Sequence, residues 1–177
     1  QVCLTFDDGS LSQFDVAIPI LKKLNIKAFF FLYSSMFTSK PDFLEIYRYF
    51  RINFFKNVDE FYNKFYEYVD FKYINFLNKN KKIIINKKKT YPHYSISDIK
   101  FRLVRDKFIT RIQYKNIMFK LFKEKKFVPK KYFDNLFMNK EHLIKIFRAG
   151  HQIGLHSHSH PTVIKELSYK NQFKEYK

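Results

Sequence analysis

Three histidines fall within the six residues "HSHSHP" (156–161), and two adjacent carboxylates stand in "TFDDGS" (5–10). These residue types hold divalent metals and move protons. Zinc-type ions take two imidazoles and one carboxylate, and a catalytic site leaves a further position for water. His156 and His160 stand at i and i+4, a spacing that lets both rings face one ion when the chain makes a helical turn. His158 lies two residues from each, points away from them on a helical turn, and is left out of the set. The third ligand should be hard and anionic, and Asp7 or Asp8 fits. The remaining aspartate can then act as a base toward water. A cation beside two carboxylates also keeps both ionised, which a bare pair resists. His93, His142 and His151 lack such a setting and read as structural or surface residues.

The two patches are far apart in the chain, so the fold has to bring them together. "QVCLTF" (1–6) reads as a strand buried on both faces, with Cys3 as a small core residue. It ends at Asp7-Asp8-Gly9, where glycine permits a sharp turn. "SQFDVAIPILKKLNI" (12–26) places Phe14, Ala17, Ile18, Leu21 and Leu24 on one helical face. Pro19 is unsuited to a helix interior, so the regular helix should begin near Ile18, with Asn25 as its C-terminal cap. "KAFFFLY" (27–33) is the next buried strand, and strand–helix–strand in this length implies a parallel sheet. Later, "NKEHLIKIFRAG" (139–150) reads as a helix capped by Asn139 and terminated at Gly150. "HQIGLHS" (151–157) is then a short strand that delivers His156 at its end, as the first delivers Asp7 and Asp8. Ligands of α/β sheets bind beyond the carboxyl ends of the strands, which puts both patches in one site.

The stretch from about Ser34 to Asn139 is aromatic and basic, with helical patterns over 41–50, 58–71 and 95–125. Ser97 is the candidate N-cap of the last. This region reads as a helical insertion packed on the sheet, its Phe and Tyr stripes forming core. "NKNKKIIINKKK" (78–89) is expected to be a solvated loop or edge hairpin.

The net charge is +18, from 34 Lys+Arg against 16 Asp+Glu. It accompanies an abundance of Lys, Asn, Ile, Phe and Tyr, all encoded by A/T-rich codons, so compositional bias accounts for it and no specific nucleic-acid partner is expected. A single cysteine excludes an internal disulfide and a multi-cysteine zinc site. No apolar run approaches the roughly 20 residues of a transmembrane helix. The length of 177 residues favours one domain with its own core. The chain opens at Gln1 inside what reads as a strand, so its start is expected not to be a natural N-terminus. A signal peptide therefore cannot be judged, a cytoplasmic location is favoured, and the oligomeric state is left open.

"TFDDGS" and "HSHSHP" resemble the first two motifs of the polysaccharide deacetylases, carbohydrate esterase family 4, whose usual forms are T-F-D-D-G-P and H-[S/T]-x-x-H-P. "AGHQIGLHSHSHP" (149–161) is similar to the family throughout, and "IKAFFFLY" (26–33) resembles its second strand. The resemblance implies an α/β fold of partial, distorted (β/α) barrel type. Residues 1–177 would form a single, incomplete catalytic domain, with a helical insertion over 37–138 between the second strand and the histidine motif. It implies Asp7 as catalytic base, and Asp8, His156 and His160 as ligands of a divalent metal, Zn2+ foremost. Ser157 would buttress the loop, and His158 falls on a variable position. The implied partner is an acetylated carbohydrate, and the implied reaction is metal-dependent removal of acetyl groups at carbon–nitrogen bonds. The oxyanion would be met by the metal and by a backbone N–H near Phe31 to Ser34. Three departures stand out. Ser10 replaces the family's proline, the gap between the motifs is long, and the later arginine and histidine motifs are not found. The alternative is a non-catalytic basic module on a truncated barrel, binding glycans or nucleic acid.

Overall fold

The computed structural model describes residues 2–38, 42–161 and 163–177. In chain order the elements are β1 (Thr5–Asp7), α1 (Ile18–Lys23), β2 (Phe29–Leu32), α2 (Leu44–Asn53), α3 (Val58–Tyr66), α4 (Phe71–Lys79), α5 (Lys81–Thr90), α6 (Ile96–Leu103), α7 (Arg111–Glu124), α8 (Phe133–Leu136), α9 (Lys140–Arg148), β3 (Gln152–Leu155) and α10 (Tyr169–Glu175). They fall into two compact units, Gln1–Ile46 with Pro129–Lys177, and Tyr47–Val128.

The first unit is α/β. Among the described residues its sheet has three parallel strands in the order β1-β2-β3, with Phe6 paired to Phe30 and Phe30 to Ile153. One face is covered. Leu21 of α1, Ala28, Phe30, Leu32, Met138 and Ile146 of α9 form a buried cluster, with Phe6, Phe14, Ile18, Met36 and Leu143 packed against it. Pro19 sits in the first turn of α1, as its missing N–H requires. The preceding turn, Gln13–Ala17, widens to a π-helix, which makes room for the proline ring against the carbonyl four residues back. Asn25 ends α1 at φ 52°, and the N–H groups of Ile26 and Asn25 donate to the carbonyls of Leu21 and Lys22. Gly150 does the same for α9 at φ 83°, with His151 and Gly150 donating to Ile146 and Phe147.

Several expectations need correction. β1 is three residues long and is not buried on both faces, and Cys3 lies exposed before it. Among the described residues β1 and β3 are the sheet's two edges, and the buried cluster lies on the face of Phe30 and Leu32. Leu24 is 59% exposed because it follows the last helical residue, where the chain turns away.

The second unit is helical with an aromatic core, in which Phe50, Phe61, Phe65 and Phe101 are fully buried. Their rings meet edge to face, Phe50 with Phe122 at 4.7 Å and Phe65 with Phe101 at 5.1 Å. Residues 81–90 form helix α5 rather than a loop or hairpin. The isoleucine triplet has strand character, but Ile84 finds a buried position, the flanking lysines are good helix formers, and Lys87–Lys89 face the negative end of the helix dipole. The N-cap of α6 is Ser95 rather than Ser97. Its backbone is extended and its Oγ accepts from the N–H of Asp98 at 3.0 Å. Burial and a hydrogen bond to Asp98 push the Tyr62 hydroxyl pKa well above its usual range. Among the described residues no helix is long and apolar enough to cross a membrane.

Candidate metal centre

The central strand carries both patches. The N–H of Asp8, just past β1, donates to the Phe31 carbonyl at 3.0 Å. The N–H of His156, just past β3, donates to the Leu32 carbonyl at 2.8 Å. Parallel strands put these ends on the same side of the sheet, so consecutive carbonyls of β2 register two segments that are remote in sequence.

After β1 the chain turns through Asp8 at φ 74° and Gly9 at φ 67°. Aspartate tolerates this left-handed region better than most residues. The turn is tied down where Met138 donates to the Gly9 carbonyl at 2.9 Å and Gln13 Nε2 donates to the Asp7 carbonyl. A Cβ on Gly9 would lie 2.7 Å from Leu32 Cδ2 and 2.8 Å from Met36 Cε. Gly9→Ala is therefore expected to cost about 1–3 kcal/mol of stability. A denaturant titration checks this, and an unchanged midpoint would contradict it.

The histidine loop is built differently from the expected helical turn. Residues 156–160 have no helical assignment, and Ser157 (φ 65°) and His160 (φ 48°) are left-handed. Those two reversals, rather than a 3.6-residue repeat, bring the rings of His156 and His160 to 4.9 Å between centroids. Ser157 is buried, and its Oγ accepts from the His160 N–H at 3.2 Å, a buttress across the turn.

Asp8, His156 and His160 converge. Asp8 Oδ1 lies 3.0 Å from His160 Nε2 and 3.7 Å from His156 Nε2, and one ligand atom from each residue falls within 4.8 Å of the others. Ligand atoms around a tetrahedral zinc are about 3.4 Å apart, from bonds of about 2.0–2.2 Å. The two Asp8 distances bracket that value, so this donor set fits a small divalent cation. Asp8 and His160 are largely buried, whereas His156 is 41% exposed and leaves the site open on its side. The His160 ring packs 5.5 Å from that of the fully buried Tyr33, and its Nδ1 is buried with no hydrogen-bond partner among the described residues.

The other predicted positions are placed as follows. Asp7, at the exposed end of β1, is not one of the three converging residues. His158 turns away, its Nδ1 2.8 Å from Ser34 Oγ. His93 is exposed, and His142 completes the capping box of α9 with Asn139. His151 is buried, with Nδ1 accepting from the Ala28 N–H, and burial followed by the charge of Lys27 pushes its pKa down. The Ser34 N–H, one candidate for the oxyanion, is already committed to the Ser157 carbonyl at 3.1 Å.

Sequence reasoning missed Glu175. From the last turn of α10 it accepts from the N–H groups of His158 and Ser159 at 3.1 and 2.7 Å and from Ser159 Oγ at 2.7 Å. Burial alone would raise its pKa, but these hydrogen bonds outweigh it and hold the carboxyl below the usual range. No local motif marks this residue, because its partners lie sixteen and seventeen positions away.

Comparison with known proteins places part of this arrangement. The family model described as polysaccharide deacetylase matches residues 1–49, which include β1 and the turn bearing Asp7 and Asp8 but not the histidine loop. Neither the comparison with curated proteins nor that with solved structures gives a match. On this match the N-terminal stretch of the chain, residues 1–49 of 177, is similar to the polysaccharide deacetylase family.

Proposed function

We propose that this chain carries the metal-holding part of a hydrolase that removes acetyl groups from a carbohydrate at carbon–nitrogen bonds. The observation that supports it is the convergence of Asp8 with His156 and His160, with Asp8 inside the stretch matched to the deacetylase family. On this reading residues 1–177 are one deacetylase-type domain, a distorted barrel in part, interrupted by the helices between the second strand and the histidine loop.

Asp8, His156 and His160 would hold a divalent cation, and two imidazoles with one carboxylate suit zinc best. When bound, such an ion polarises an acetyl carbonyl and lowers the pKa of water. Asp7 neighbours Asp8 on a strand end, so its carboxylate departs in a different direction and is left for proton transfer. As base it accepts the proton of the attacking water. His156 lies on the open side, where substrate has access.

The experiment is acetate release from an acetylated amino-sugar oligomer by the natural full-length protein, before and after chelation. Release that stops with chelator and returns with zinc is expected. No release, together with a tight nucleic-acid complex that survives physiological salt, would overturn it in favour of the basic binding module.

A further inference from the structure

We propose that Glu175 is a positioning residue, a carboxylate clamp by which helix α10 sets the backbone of the histidine loop. Its effect on metal binding rests on the metal-site reading above, whereas the clamp itself stands on hydrogen bonds that need no metal.

The loop has to hold two imidazoles toward one point on an irregular backbone with left-handed residues at Ser157 and His160. Such a segment keeps its shape only if its surroundings over-determine it. One side is provided by β2 and the residues after it. Leu32 accepts from the His156 N–H, Ser34 N–H donates to the Ser157 carbonyl, and Ser35 N–H donates to the His158 carbonyl at 2.9 Å. Within the loop, His160 N–H donates to Ser157 Oγ. None of these contacts uses the N–H groups of His158 and Ser159, and Glu175 Oε2 accepts both. Glu175 Oε1 accepts the Ser159 hydroxyl. Hydrogen bonds to an ionised acceptor are the strong ones, and three converge here.

Ser159 directly precedes His160, so the peptide that Glu175 grips sets where the His160 ring starts. The same grip leaves His158 pointing to Ser34 and away from Asp8. Glu175 is not among the three converging residues and acts through the loop. Groups that orient ligands in this way typically change metal affinity by about 10–100-fold when removed.

The test uses the 177-residue chain with Glu175→Ala, Glu175→Gln and Glu175→Asp, and His160→Ala as a control. Amide hydrogen exchange is followed by NMR without metal, and Zn2+ affinity by calorimetry. In Glu175→Ala the amides of His158 and Ser159 are expected to lose protection while those of β2 keep theirs, and zinc affinity to fall about 10–100-fold. Glu175→Asp keeps the charge but withdraws the carboxylate by one methylene, and gives the same loss in a milder change. Glu175→Gln, whose neutral amide oxygen still accepts two N–H groups but more weakly, recovers part of the protection and affinity. Unchanged protection at His158 and Ser159 in both the alanine and aspartate variants overturns the clamp, as does a glutamine variant no better than alanine. Zinc affinity indifferent to His160→Ala overturns the metal reading instead, and the metal-free exchange data still decide the clamp.

Discussion

Asp7→Asn is expected to keep its metal and lose about 10²–10⁴-fold in turnover, the usual cost of removing a general base. Asp8→Asn is expected to lose the metal itself. The two aspartates are adjacent in sequence, yet the fold separates them. Asp8 turns through φ 74° and brings Oδ1 to within 3.0 and 3.7 Å of the two imidazoles. Asp7 ends the strand in a regular extended conformation and remains exposed. A neutral amide oxygen is a poorer ligand than a carboxylate for a zinc-type ion, so Asp8→Asn acts on affinity. An amide cannot accept the proton of an attacking water, so Asp7→Asn acts on rate. Acetate release and bound metal, measured on the same samples of the natural full-length protein, separate the two effects. Metal loss in Asp7→Asn with retention in Asp8→Asn would reverse the assignment, and full activity in Asp7→Asn would remove the general-base mechanism.

His156→Ala or His160→Ala should abolish tight zinc binding, while His158→Ala should leave it nearly intact. All three lie in one six-residue motif, so bulk histidine content cannot explain such a pattern. His158 has its Nδ1 on Ser34 Oγ, and truncating it loses one surface hydrogen bond. Removing His160 takes away the imidazole nearest to Asp8 and the ring that packs on Tyr33. Structural zinc sites draw much of their free energy from each ligand, and two remaining donors do not hold the ion tightly at neutral pH. Equilibrium dialysis against micromolar zinc checks this, and stoichiometric metal in the His160→Ala protein would sink the assignment.

Much of the first unit was legible because its signals are local. Pro19 marks the start of α1, Asn25 and Gly150 mark helix ends, Asn139 caps α9, and apolar runs bounded by these signals gave β2 and β3. The rule that α/β sites lie beyond the strand ends then predicted that the aspartate and histidine patches would meet, and β2 does carry Asp8 and His156 on consecutive carbonyls. What stayed hidden depends on partners far along the chain. The exposure of Cys3 and β1 follows from which sheet face and edge is covered, which no local pattern encodes. The triplet Ile83–Ile85 has strand character in isolation, and the helix wins because Ile84 finds a buried position. The i, i+4 spacing of the histidines pointed to the pair that converges on Asp8, but for the wrong local reason, since two left-handed residues do the work of the helical turn. Glu175 was invisible because a carboxylate in a basic helical tail carries no sign of the backbone that it will grip.

X-ray absorption at the zinc edge tests the central claim most directly, on the 177-residue chain loaded with one equivalent of zinc. The account predicts a shell of nitrogen and oxygen at about 2.0–2.2 Å. Outer-shell scattering should fit two imidazoles, and this two-imidazole signature should be lost in His160→Ala, which does not hold the ion tightly. A sulfur at about 2.3 Å, which would place the ion on the exposed Cys3, or a spectrum unchanged by His160→Ala, would contradict it.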